Sequence, residues 1–346
     1  MVTPKLARLC GAALLTGLGF TAQAADTIQL KLAHYLPTAH SLHSVFMEPW
    51  ARELEERTDG KVKVRVHAGN SSFGNAANQL DQVRAGVVDI AFGLAGMPRG
   101  RLPRTTLIEM PFLIKSADTG SRTLWELYPD YLKEEYKGLH MLALMTHNGG
   151  LIHTRDKTVK NIDDMKGLRI RTPSDTISKA LTKLGATPVG MPPGEVYEGL
   201  QRGVIDGAAF PWDPVRGFKL DEVTTAHTEA DFYTASFWFA MNEKTYEELP
   251  DDVKEVLDDM SGLNLISQFG EWWDEWDDIG LAAAKDRGNE IITLSDEDRA
   301  EWAAELEPVV DAEIEALEEK GIDNARDIYD RMVEVSSEYE ENAATE

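Results

Sequence analysis

Hydrophobic and polar residues alternate with a period of two in two early stretches, IQLKLAH (28–34) and KVKVRVH (61–67). Successive side chains of a strand point to opposite faces, so both stretches are predicted strands. Between them the period lengthens. Val45, Phe46, Trp50 and Leu54 fall on one face of a predicted helix over 41–57, which Asp59-Gly60 ends. A Gly/Ser/Asn-rich loop (69–75) follows, then a short helix (75–85) stopped by Gly86, then the strand VVDIAFG (87–93). Strand–helix–strand–helix–strand predicts a parallel sheet. SRTLWELYPDYLKEEY (121–136) is a predicted helix and LHMLALM (139–145) a buried strand.

After Gly149-Gly150 the alternation restarts with LIHT (151–154). LRIRT (168–172) is a predicted strand stopped by Pro173, followed by a helix at 177–185, a strand in ATPVGMP (186–192), a helix at 194–203 and the strand VIDGAAF (204–210). FWFAMN (237–242) is a further strand. Everything beyond it is predicted helical, in acidic amphipathic stretches broken at Gly262, Gly288 and Gly321. The chain therefore contains two successive α/β blocks, and each carries a helix–glycine–strand unit, LDQVRAGVVDIAFG (80–93) and LQRGVIDGAAF (200–210). Both units run on into pocket-like endings, AFGLAGM (91–97) and AAFPWDP (208–214). Open α/β sheets bind ligands beyond the carboxyl ends of their parallel strands. Two lobes facing each other would make one cleft from both endings.

Length and composition sharpen this picture. The 346 residues suffice for about two domains, and 42% hydrophobic content allows substantial cores. Lys5 and Arg8, an apolar run over 9–20 and Ala22-Gln23-Ala24 predict a signal peptide over 1–24, cleaved near Ala24. The run is shorter than a membrane span. Cys10, the only cysteine, lies inside this leader and too early in it for lipidation, so the mature chain has no thiol and no disulfide. The net charge of −25 argues against nucleic acid as a partner, because phosphate binding needs a basic face.

The chemistry-bearing motifs are few. The chain has no G-x-S-x-G, P-loop or H-E-x-x-H pattern. His40 and His43 have no third ligand nearby in sequence, so a helix-start role is expected rather than a metal site. Asp163-Asp164, Asp251-Asp252 and Glu195 read as first-turn helix acids. Arg171 sits at a strand end, where a guanidinium can grip a carboxylate through two parallel hydrogen bonds. Its alternative is a surface ladder with Arg169. Phe210, Trp212 and Asp213 have two readings: core aromatics with a helix-start acid, or an aromatic–acidic wall able to hold an ammonium group.

The segments GLRIRTP (167–173), GATPVGMPPGEVYEGLQRGVIDGAAF (185–210) and MNEKTYEELPDDV (241–253) resemble the substrate-binding subunits of TRAP (tripartite ATP-independent periplasmic) transporters of the DctP type, over roughly 27–325. The resemblance implies the two-lobe α/β fold of periplasmic solute-binding proteins, with the ligand cleft between lobes and long C-terminal helices, one of them including 263–286. Lobe I is expected to comprise 25–148 plus 237–276, lobe II 149–236 plus 277–325, and a C-terminal helix or tail 326–346. The resemblance further implies a periplasmic transport protein, not an enzyme, without cofactor or metal. Its expected partners are a small solute, most readily an organic carboxylate, and TRAP membrane permease subunits. Arg171 matches the family's carboxylate-gripping arginine. His34, Tyr35, Asn75 and Met97 are expected contacts from the first lobe, and Trp238 from the crossover. Phe210, Leu151 and Pro193 depart from residues common in other members, so an amine or zwitterion held by Phe210, Trp212 and Asp213 is kept as an alternative. A periplasmic hydrolase on a similar frame is the alternative from another class, and it would require a nucleophile–base pair.

Overall fold

The computed structural model describes residues 27–343, so the expected leader lies outside the described residues. Eleven strands form two sheets. The first takes β1 (Ile28–Ala33), β2 (Val62–His67), β3 (Ile90–Leu94), β4 (Leu139–Thr146) and β10 (Ser236–Asn242), in the order β2-β1-β3-β10-β4. β1 runs parallel to β2 and β3, as the alternating pattern predicts, and β10 is antiparallel to β3 and β4. The second takes β5 (Leu151–Thr154), β6 (Arg169–Thr172), β7 (Thr187–Gly190), β8 (Gly207–Phe210), β9 (Ala226–Glu229) and β11 (Glu290–Thr293), in the order β11-β9-β5-β8-β6-β7. β6 is parallel to β7 and β8, which sets Arg171 opposite Val189 on one side and Ala208 on the other.

Besides the helical passage from β10 to β11, the chain crosses between sheets twice, at 147–150 and at 230–235. These crossings are tied together: Gly150 N–H donates to the Tyr233 carbonyl at 2.7 Å, and the Thr234 hydroxyl donates to the His147 carbonyl at 2.7 Å. Helices α1 (Glu48–Arg57), α2 (Gln79–Arg84) and α3 (Ala117–Leu127) cover the first sheet, and α4 (Asp175–Lys183) and α5 (Val196–Gln201) the second. After the short α6 (Asp213–Gly217), the chain returns through β10 to α7 (Glu243–Glu248), α8 (Asp251–Asp259), α9 (Gly262–Ile266) and the long α10 (Phe269–Asp286). α10 packs on both α3 and α6, so it spans the two halves. α11 (Asp296–Glu318) lies on α4, and α12 (Ala325–Ala343) lies on α3.

Two expectations need correction. The region beyond residue 242 is not all helical, because Glu290–Thr293 adds an edge strand parallel to β9. A four-residue strand between two helices offers too short a pattern to read. The predicted helix over 121–136 keeps regular geometry only to Leu127. Pro129 follows, and a wide turn over 128–132 and a tight one over 133–136 complete the segment. Proline lacks the N–H that a continuing helix would use.

Candidate ligand site

A cavity lies between the two sheets. The first sheet's side contributes Tyr35, His40 and Leu94, the crossovers contribute His147 and Tyr233, and α10 contributes Trp273. β6 and β8 bring Arg171 and Phe210. No aspartate or glutamate lines the cavity.

Arg171 is its only side chain carrying a full charge near neutral pH. It is 1% exposed. Its Nε donates to the Met191 carbonyl at 3.1 Å and its Nη1 to the Ala209 carbonyl at 2.9 Å, so the β6 neighbours on either side fix the fork. The guanidinium carbon sits 4.0 Å from the centre of the Phe210 ring, in cation–π contact. Nη2 has no hydrogen-bond partner and, among the described residues, no carboxylate pairs with this guanidinium. Burial lowers its pKa to about 10, which leaves it charged at neutral pH. A buried charge without a counter-ion costs several kcal/mol, of order, unless a ligand provides one. Arg169, two residues earlier, contrasts with it: Nε and Nη2 grip the Asp206 carboxylate at 2.9 and 2.6 Å on a partly exposed face. The two arginines of LRIRT therefore do different work.

Phe210 is held from behind. His153 Nε2 lies 3.1 Å from the Phe210 carbonyl, an acceptor only, so that nitrogen carries the proton. His147 is likewise fixed. Its Nε2 accepts from Ala235 N–H at 2.9 Å, which places its proton on Nδ1, donated to the Asn148 carbonyl. Burial pushes both imidazoles down to about 4, so both are neutral. Besides Arg171 Nη2, two fully buried donors of the cavity lining lack a protein partner, the Tyr233 hydroxyl and the Trp273 indole N–H.

Of the nine residues expected to touch a ligand, Arg171, Phe210 and Tyr35 line this cavity and six do not. His34 lies behind it, its Nδ1 accepting from Leu36 N–H and its Nε2 2.9 Å from His43 Nδ1. The side chain of Asn75 caps the turn over 76–78 and faces an outer groove with Pro193 and Glu195. Met97 is buried in the core. Trp238 points to the opposite face of β10, where a Cβ on Gly93 would lie 2.1 Å from its ring. Trp212 packs on Leu151, Val215 and Ala284, and its indole N–H donates to Glu229 at 3.3 Å. Asp213 turns to the rim, where it accepts from the Ser41 hydroxyl at 2.7 Å. His147, Phe218, Tyr233, Phe237 and Trp273 line the cavity without having been expected; Tyr233 and His147 sit in crossovers that have no period to read.

A two-sheet molecule with an aromatic-walled cavity between its halves has the build of a two-lobe solute-binding protein. The bacterial extracellular solute-binding protein family 7 (DctP) matches residues 32–316, and the chain belongs to that family. Among solved structures it is similar to a TRAP solute-binding protein from Rhodoferax ferrireducens in complex with copurified benzoate, with a TM-score of 0.88 and 31% identity, covering 92% of this chain and 100% of that one. It is also similar to a marine metagenome TRAP solute-binding protein specific for aromatic acid ligands, with 3-hydroxybenzoate, at 0.87 and 34%, covering 90% and 99%. A periplasmic TRAP protein from Bordetella bronchiseptica with bound (R)- and (S)-mandelate is similar at 0.81 and 28%, covering 90% and 99%. The family and these neighbours are solute-binding transport proteins, and no helix among the described residues is long and apolar enough to cross a membrane.

Proposed function

We propose that this protein captures a small aromatic monocarboxylate outside the cytoplasm and delivers it to a TRAP permease. The observation that carries the proposal is the buried Arg171 guanidinium, stacked on Phe210, with Nη2 unpartnered and no acid in the cavity lining. A carboxylate supplies the missing charge and accepts from Nη2, while Tyr35, Phe218, Phe237 and Trp273 present apolar faces to a ring. One cation argues for one carboxylate. The three neighbours that bind benzoate, 3-hydroxybenzoate and mandelate have ligands of this class. The ligand bridges the halves and so favours the closed arrangement, the form offered to the permease. Export with removal of residues 1–24 belongs to the same reading, as does the division into lobes of 25–148 plus 237–276 and 149–236 plus 277–325.

A thermal-shift and calorimetric screen of the purified protein tests the proposal. Benzoate, 3-hydroxybenzoate and mandelate are expected to raise the melting temperature and bind one per chain, and Arg171→Met to abolish both effects. Equal binding of benzamide and benzoate, or response only to amines, would overturn it.

A further inference from the structure

We propose that Tyr233 is the second anchor of the bound carboxylate: its hydroxyl donates to one carboxylate oxygen while Arg171 Nη2 donates to the other. The inference rests on the reading that this cavity takes a carboxylate. Tyr233 is 1% exposed, and its hydroxyl has no hydrogen-bond partner. A buried hydroxyl left unpaired is costly, and native structures rarely keep one without a use. It lines the same cavity as Arg171, and the guanidinium is the largest charge acting on it.

The ring is set in place with little freedom. Gly150 lies so close that a Cβ there would fall 2.1 Å from the Tyr233 ring, and Gly150 N–H is bonded to the Tyr233 carbonyl. The His147 ring meets it edge-on at 5.5 Å and the Phe232 ring at 4.8 Å. A glycine on one side and two rings on the others hold the Tyr233 ring at the cavity wall.

Of the other polar groups lining the cavity, His147 and Trp273 are weaker candidates. His147 has both nitrogens engaged by backbone groups. The Trp273 indole N–H is unpartnered, but so are those of Trp238, Trp276 and Trp302, which do not line the cavity, so that state is not distinctive of a ligand contact. Tyr233 is the only tyrosine among the described residues whose buried hydroxyl is left without a partner. Because it belongs to the crossover at 230–235, a ligand held by both Tyr233 and Arg171 ties the connecting segment to the second sheet.

The test is Tyr233→Phe, followed by calorimetry with benzoate and by melting of the ligand-free protein. The hydroxyl acts only when ligand is present, so the ligand-free melting temperature should stay level or rise. Benzoate affinity should fall about 10- to 100-fold, the worth of a hydrogen bond to a charged group. An unchanged benzoate affinity overturns the proposal, and so does a ligand-free melting loss large enough to explain the weaker binding. Absence of aromatic carboxylate binding in the wild type would instead overturn the functional reading on which this inference rests.

Discussion

The Ser41 hydroxyl, in the loop after β1, donates to the Asp213 carboxylate at 2.7 Å, and Asp213 opens α6 after the second sheet's β8. The same carboxylate lies 3.2 Å from His40 Nδ1. Neither Ser41 nor Asp213 lines the cavity, yet their contact joins its two sides at the rim. A ligand's apparent affinity scales with the population of the closed form. Ser41→Ala should therefore weaken every ligand by a common factor, about 3- to 10-fold, equal to one neutral-to-polar hydrogen bond. Calorimetry on three aromatic acids checks this, and a change in their rank order would contradict it.

Asp213 also gives a pH dependence of stability. Burial pushes its carboxyl up to about 7, while burial pushes His40 down to about 3, so the pair is neutral over the acidic range. The folded pKa lies above the unfolded value of roughly 4. The folded state therefore gains most when the acid is protonated, and that gain is lost as pH rises from about 4 through about 7. Asp213→Asn copies the protonated acid in shape and can still accept from Ser41. The variant should melt higher than wild type at pH 8 and no higher at pH 4, as scanning calorimetry at the two values would show.

Buried histidines act in the opposite direction. Burial lowers His34 and His40 to about 3, His147 and His153 to about 4, and His227 to about 2. Their neutral rings are built into hydrogen bonds, as His153 is with Phe210 and His147 with Ala235. Below roughly 6.5 the unfolded chain takes up protons that these folded rings refuse. Glu109, Asp213 and Asp277, each raised to about 7 chiefly by burial, offset three of the five. The melting temperature is expected to fall as pH drops from 6.5 to 4, and a melting temperature that rises over that interval would refute the assignment of neutral rings.

Much of this architecture is visible in the sequence where a period is long enough to read. β1, β2 and the helix–glycine–strand units are such cases, and Arg171 before Pro173 marks a strand end correctly. What the sequence does not disclose is which face of a buried strand meets the ligand. β10 is buried along its whole length, and its central run FWFAM (237–241) has no polar residue to separate the faces. Phe237 points into the cavity, and Trp238, one residue on, points to the far core behind Gly93. The same near miss separates Phe210 from Trp212 around a proline. β9 and β11 are too short for alternation to show, and Tyr233 lies in a crossover without any repeating pattern.

α10 bridges the two halves because Gly280 lets it approach α6. A Cβ at Gly280 would lie 1.9 Å from the Trp212 carbonyl oxygen, a backbone atom that cannot rotate away. Gly280→Ala must therefore lift α10 off α6. Overpacking of this kind costs about 1–3 kcal/mol, and here it falls on the contact that holds both halves together. The variant should melt several degrees lower. Because Trp212 leads directly into Asp213, the rim contact with Ser41 should loosen and benzoate binding weaken in parallel. Gly270, also on α10, faces Asp118 instead, with a Cβ position 2.9 Å from the Asp118 Cβ, a much less severe approach. Gly270→Ala should be milder in both measurements, and equal losses at the two glycines would show that the α10–α6 approach is not what joins the halves.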